Sequence, residues 1–155
     1  MPQLRAVLFD MGDTVVDLGE GRGSYEARVM LRVGHVYDAL SSRGIALGSR
    51  DGFCHALAID SEAQYQAALA EQIGIDASTV MRRFLQGCGL PGDPETVEAA
   101  AEAYCRGGPE LVAPLRRGAV ETLSALRERG LRLAAVSNTV QPGRFLTTNM
   151  RRWGL

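Results

Sequence analysis

The sequence predicts an α/β fold in which a parallel sheet is interrupted by a long all-helical insertion. Three observations carry this expectation. Two short apolar runs, Ala6-Val7-Leu8-Phe9 and residues 131–136, each stop abruptly at a polar cluster, as buried parallel strands do. Between them, residues 24–106 show only helical periodicity. A further helix leads into the second run, and strands joined through helices imply parallel pairing with a right-handed crossover.

Taken in order, residues 4–9 read as the first strand, followed by the turn-rich Asp10-Met11-Gly12-Asp13-Thr14. The run Gly19-Glu20-Gly21-Arg22-Gly23 reads as a permissive connector, and Ser24 as a helix N-cap. Its spacing is not that of a dinucleotide-binding loop, so a hinge explains it better. Tyr25, Val29, Val33, Val36 and Leu40 then recur at helical spacing and define one inward face. A second helix is expected over residues 50–73, with Phe53, Leu57, Leu69 and Ile73 inward and Gly74 as its end. Asp76 caps a third, in which Val80, Phe84 and Leu85 share a face. Asp93 followed by Pro94 caps a fourth, whose apolar face is Val97, Ala101 and Tyr104. After Pro114, Val120, Leu123 and Leu126 mark a helix that Gly130 ends. The second strand follows and stops at Ser137-Asn138-Thr139. Pro142 then opens a last helix with Leu146, Met150 and Trp153 on one face.

Composition narrows the function classes. The 155 residues carry a net charge of −1, which gives no electrostatic footprint for nucleic acid or an anionic membrane. All 17 basic residues are arginine, so lysine chemistry is excluded from the chain. The N-terminal apolar run is too short for a signal-peptide core or a membrane span. Cys54, Cys88 and Cys105 are odd in number and lack metal-ligand spacing, so they read as free buried thiols in a reducing compartment. The expected location is the cytoplasm. His35 and His55 fall inside expected helices with no ligand cluster around them, and read as structural or surface residues. Arg82-Arg83, Arg116-Arg117 and Arg151-Arg152 read as solvated faces, with Arg144 or one of the last pair able to approach an anion.

Ligands of open parallel sheets bind beyond the carboxyl ends of the strands. Two polar clusters lie there, Asp10 to Thr14 and Ser137-Asn138-Thr139. If the strands are neighbours, a carboxylate and a hydroxyl-plus-amide cluster face one crevice. A carboxylate there can act as a covalent nucleophile. Attack on a phosphate anion needs charge compensation from amides, hydroxyls and a cation. Ser137-Asn138 reads either as the N-cap of the last helix or as an anion-binding pair at its start.

Val7-Leu8-Phe9-Asp10-Met11-Gly12-Asp13-Thr14-Val15 resembles the first signature of the haloacid dehalogenase-like (HAD) superfamily. Leu133-Ala134-Ala135-Val136-Ser137-Asn138-Thr139 resembles the second. The resemblance covers nearly the whole chain. It implies a Rossmann-like core in residues 1–18 and 112–155 and an inserted helical cap in residues 19–111. It further implies Asp10 as nucleophile and Mg²⁺ ligand, the Gly12 carbonyl as a second contact to Mg²⁺, and Thr14 as the residue that orders the turn. Ser137 is then the hydroxyl on the transferring phosphoryl group, with Asn138 a further donor. The family's phosphatases carry a general acid/base Asp two places after the nucleophile. Gly12 stands there instead, and Asp13 is one place further on. Dehalogenases of the family also lack that Asp.

The activity implied is Mg²⁺-dependent hydrolysis of a small phosphorylated metabolite through an aspartyl-phosphate. The alternatives are carbon–halogen hydrolysis by the same nucleophile, and a non-catalytic domain that binds a phosphorylated ligand. The third and fourth signatures of the family supply a Lys or Arg and further acidic metal ligands. This chain has no lysine and no acidic residue after Glu128, so it is expected to be the N-terminal part of such a protein, with an incomplete sheet. Neither the substrate nor the oligomeric state is legible.

Overall fold

The computed structural model describes residues 4–17, 24–106 and 113–155. The glycine-rich connector at residues 19–23 lies outside them. Among the described residues the elements run β1 (Ala6–Asp10), α1 (Tyr25–Ser41), α2 (Arg50–Ala70), α3 (Ala77–Gly87), α4 (Pro94–Arg106), α5 (Ala119–Glu128), β2 (Arg132–Val136) and α6 (Gly143–Arg152). This is the core-and-insertion order expected, a small parallel sheet with a helical block between its strands. The chain divides into two compact units, one containing β1, α5, β2 and Thr148–Leu155, the other containing α1 to α4 and Thr139–Thr147.

The helical unit is held by capped helices around one apolar core. Ser24, Ser49 and Asp76 cap α1, α2 and α3 by accepting the amides of Ala27, Gly52 and Thr79. Asp93 accepts the Thr96 amide at 3.0 Å just before Pro94 opens α4, and that bond holds its carboxyl below the usual carboxylate range. Val33, Val36 and Leu40 of α1, Phe53 and Leu57 of α2, Met81 and Leu85 of α3, and Val97 and Ala101 of α4 share the core. Phe53 sits between Tyr37 and Phe84 in two edge-to-face contacts, with centroids 5.6 and 5.4 Å apart.

Several inward positions differ from expectation. Tyr25 opens α1 with its ring exposed and its hydroxyl donating to Glu62. Helix α2 stops at Ala70, three residues short of Ile73, and both Leu69 and Ile73 are exposed. Leu69 lies twelve positions beyond Leu57, which is about 120° round the helix at 100° per residue. Ser61 and Ala68 take the inward places instead. On α6, Phe145 rather than Leu146 is the buried residue, and it joins the helical core. Cys54 and Cys105 are buried, but Cys88, at the C-cap of α3, is exposed. Burial pushes the Cys105 thiol up to about 12.

In the sheet unit, β1 and β2 pair in parallel from Ala6 opposite Arg132 to Asp10 opposite Val136. Phe9 points into a cluster with Met11, Val15, Val16, Ala113, Leu123, Met150 and Trp153. The opposite sheet face is open, with Leu8 66% and Val136 53% exposed. Helix α5 buries no residue fully, and its Val120 is exposed. Two described strands with one uncovered apolar face make a thin core, as a short sheet without further strands must. No helix among the described residues is long and apolar enough to cross a membrane.

Candidate active site

The last residue of β1 is Asp10, and its side chain is exposed at the carboxyl end of the sheet. Strand alternation explains this, since Phe9 faces the packed side and Asp10 with Leu8 the open one. Beyond Asp10 the chain turns at once. The amides of Val15 and Val16 both donate to the Met11 carbonyl at 3.0 Å, and the Asp13 amide donates to Val16 at 2.8 Å. Closing so tight a loop puts Asp13 in the left-handed region at φ 55°. Asp and Asn are the non-glycine residues that tolerate that conformation best.

The loop is also held from outside. Asp17 donates its amide to Pro114 at 2.8 Å, Arg116 donates its amide to Val15 at 2.9 Å, and Val16 bridges Leu115 in antiparallel fashion. These bonds bring the Arg116 guanidinium to 3.5 Å from the Asp13 carboxylate. The sequence reading placed Arg116 on a solvated face and missed this. Its signal was weak, an arginine doublet shortly after Pro114, because the pairing joins residues about a hundred positions apart.

The second polar cluster follows directly on β2. Met11 donates its amide to the Val136 carbonyl at 3.2 Å, so Ser137 begins one residue beyond the partner of Asp10. Asp10, Gly12, Asp13, Thr14, Ser137 and Asn138 therefore all emerge at the same end of the two-stranded sheet. Ser137 is half-buried; Thr14 and Asn138 are exposed. Helix α6 starts only at Gly143, so Ser137 and Asn138 neither cap that helix nor lie at its N-terminus. Both helix-start readings of this pair are thus corrected. They belong to the loop at the strand end.

The remaining candidates lie elsewhere. Arg144 is paired with Glu98 of α4 and stacks over Phe145, so it is engaged within the helical unit. His35 lies half-buried in α1, and the His55 ring nitrogen sits 2.9 Å from the Asp51 carbonyl in α2. Among the described residues no group of three or more His, Cys, Asp or Glu side chains is arranged to hold a metal. What the loop offers a cation is the Asp10 carboxylate and the Gly12 carbonyl. Both are hard oxygen donors, suited to an ion such as Mg²⁺ that keeps several waters and binds through one or two carboxylates plus substrate oxygens.

The loop carrying Asp10 and the loop carrying Ser137 and Asn138 thus leave the carboxyl ends of two adjacent parallel strands, the place where open α/β sheets bind ligands. The sequence matches the profile of haloacid dehalogenase-like hydrolases over residues 4–145, and the chain belongs to that family. No match was found among the curated proteins. Among solved structures, the chain is similar to a predicted phosphoglycolate phosphatase from Haemophilus somnus, at 16% identity and TM-score 0.45, over 98% of this chain and 58% of that one. It is also similar to the L-2-haloacid dehalogenase from Xanthobacter autotrophicus, at 19% identity and TM-score 0.43, over 99% of this chain and 53% of that one. A structure described as a dehalogenase matches at 15% identity and TM-score 0.41, over 97% and 57%. The chain thus spans little more than half the length of each of these proteins.

Proposed function

We propose that this HAD-family hydrolase is a phosphatase of a small phosphorylated metabolite, with Asp10 as covalent nucleophile. The observation that carries the reading is the register that sets Asp10 opposite Val136, so that the exposed carboxylate and Ser137 emerge on adjacent strands. In the first step an Asp10 Oδ forms a bond to phosphorus while the bond to the leaving oxygen breaks, and that oxygen takes up a proton. In the second, water attacks phosphorus, the carboxylate leaves, and inorganic phosphate is released. Ser137 and Asn138 donate hydrogen bonds to the phosphoryl oxygens, where charge builds up. Asp13 is the proposed proton-transfer group, and Thr14 orders the turn that carries it. Asp10 and the Gly12 carbonyl are the proposed holders of Mg²⁺, which when bound neutralises charge on the phosphoryl oxygens. Residues 1–18 and 112–155 are assigned as core, and residues 19–111 as a cap that sets substrate choice. A cytoplasmic location is part of the same reading.

Gly12 favours a second reading. With no carboxylate two places after Asp10, the same nucleophile suits displacement of halide from carbon, a step that needs no proton for its leaving group. The test is to assay phosphate release from an aryl phosphate and halide release from a 2-haloacid, each with Mg²⁺ and with EDTA. Phosphate release that EDTA abolishes, without halide release, is the expected result. Halide release indifferent to EDTA establishes the dehalogenase, and binding without turnover of either substrate establishes a non-catalytic domain.

A further inference from the structure

We infer that Arg116 is a positioning residue for the nucleophile loop, acting through Asp13. The inference rests on the reading of Asp10 to Thr14 as the catalytic loop. Asp13 occupies a left-handed backbone conformation at φ 55°, which for a non-glycine residue persists where its surroundings hold it. Two kinds of restraint meet there. The backbone of residues 114–116 accepts the Asp17 amide, donates to Val15, and bridges Val16, so the returning segment is tied to the loop by an isolated antiparallel bridge and its flanking bonds. Those bonds fix the place from which the Arg116 side chain reaches Asp13 at 3.5 Å. Arg117, the neighbouring arginine, is exposed and has no ion pair among the described residues, so the doublet divides into one engaged and one solvated member.

The position matters because the loop departs from the usual spacing. Gly12 stands two places after Asp10 and supplies no side chain, so the acidic group of this loop is one residue further on. A carboxylate displaced by one residue points in a new direction. The ion pair to Arg116, a cation held by the backbone bonds of residues 114–116, restrains that direction. An exposed ion pair contributes little to global stability. Its effect is therefore local, on the order and aim of the loop, while the fold is carried by the apolar clusters. In catalysis the same displacement is costly, since misplacing a group by about 1 Å can lower a rate roughly hundredfold.

The test compares the full chain with Arg116→Ala, Arg116→Lys, Asp13→Asn and the Arg116→Ala/Asp13→Asn double variant. Asparagine tolerates the left-handed conformation, so Asp13→Asn removes the charge without imposing backbone strain. Amide hydrogen exchange is read at Asp13, Val15 and Val16, whose amides are bonded within the loop. Arg116→Ala and Asp13→Asn are each expected to speed exchange there by roughly threefold to fivefold. The double variant is expected to be no faster than either single, and Arg116→Lys to restore most of the protection. On an aryl phosphate, Arg116→Ala is expected to lower kcat by roughly tenfold or more with KM within about twofold. Additive exchange effects, no effect, or no rescue by lysine overturn the inference. Because exchange is read without substrate, a chain that releases no phosphate would contradict the functional reading while the exchange pattern still decides the role of Arg116.

Discussion

Replacing Asp10 with asparagine is expected to abolish phosphate release, lowering kcat by roughly 10³-fold to 10⁶-fold. The amide has the shape of the carboxylate but is neutral and a poor nucleophile, so the covalent step fails while the loop keeps its form. The backbone argument is specific. Asp10 pairs with Val136 through the strand ladder, and Met11, Val15 and Val16 close the following turn through main-chain bonds, none of which needs the Asp10 side chain. Unchanged circular dichroism together with lost turnover is therefore the expected pair of results. Asp13→Asn is the internal comparison, because it removes a carboxylate three residues away while leaving the proposed nucleophile in place. Normal phosphate release by the Asp10 variant would remove the residue from the chemistry.

Leu57→Ala is expected to destabilise the helical unit by about 2–5 kcal/mol. Leu57 is among the largest fully buried side chains, at 0% exposed, in the core shared by α1 to α4. Its loss removes apolar contact and leaves a cavity that close-packed neighbours fill only in part. Urea unfolding followed by far-UV circular dichroism reads the effect, since most of the described helix lies in this unit. Ile59→Ala is the matched control. Ile59 lies two residues on in the same helix but is 72% exposed, so its truncation is expected to change stability by no more than about 0.5 kcal/mol. Equal losses at the two sites would show that the burial pattern of α2 is wrong.

What was legible in the sequence was local. Ser24, Asp76 and Asp93 each accept the amide three residues on, and a capping residue before an apolar run is a signal written within one turn of helix. The two strands announced themselves by apolar runs, and their parallel pairing followed from the helices between them. The polar residues at the strand ends were found for the same reason, since a strand stops where its side chains change. Periodicity extended too far was misleading. Leu69 and Ile73 continue an apolar spacing, but the α2 core face had rotated away and the helix had ended by then. Contacts between distant segments left almost no trace. Nothing near Arg116 marks it as the partner of Asp13, because the bridge from Leu115 to Val16 exists only after the chain has returned from the helical block. The left-handed turn at Asp13 is equally a product of that closure. The loop around Asp10 was therefore identified by its residues, and its restraint only by the fold.

The central claim is that Asp10 forms the covalent bond. The most direct measurement is mass spectrometry of the chain quenched in acid during turnover of an aryl phosphate, with the modified residue located by peptide sequencing. The account predicts one phosphoryl group, carried on Asp10 and absent from the Asp10→Asn variant. A phosphoryl group on any other residue, or turnover with no phosphorylated chain at any quench time, contradicts it.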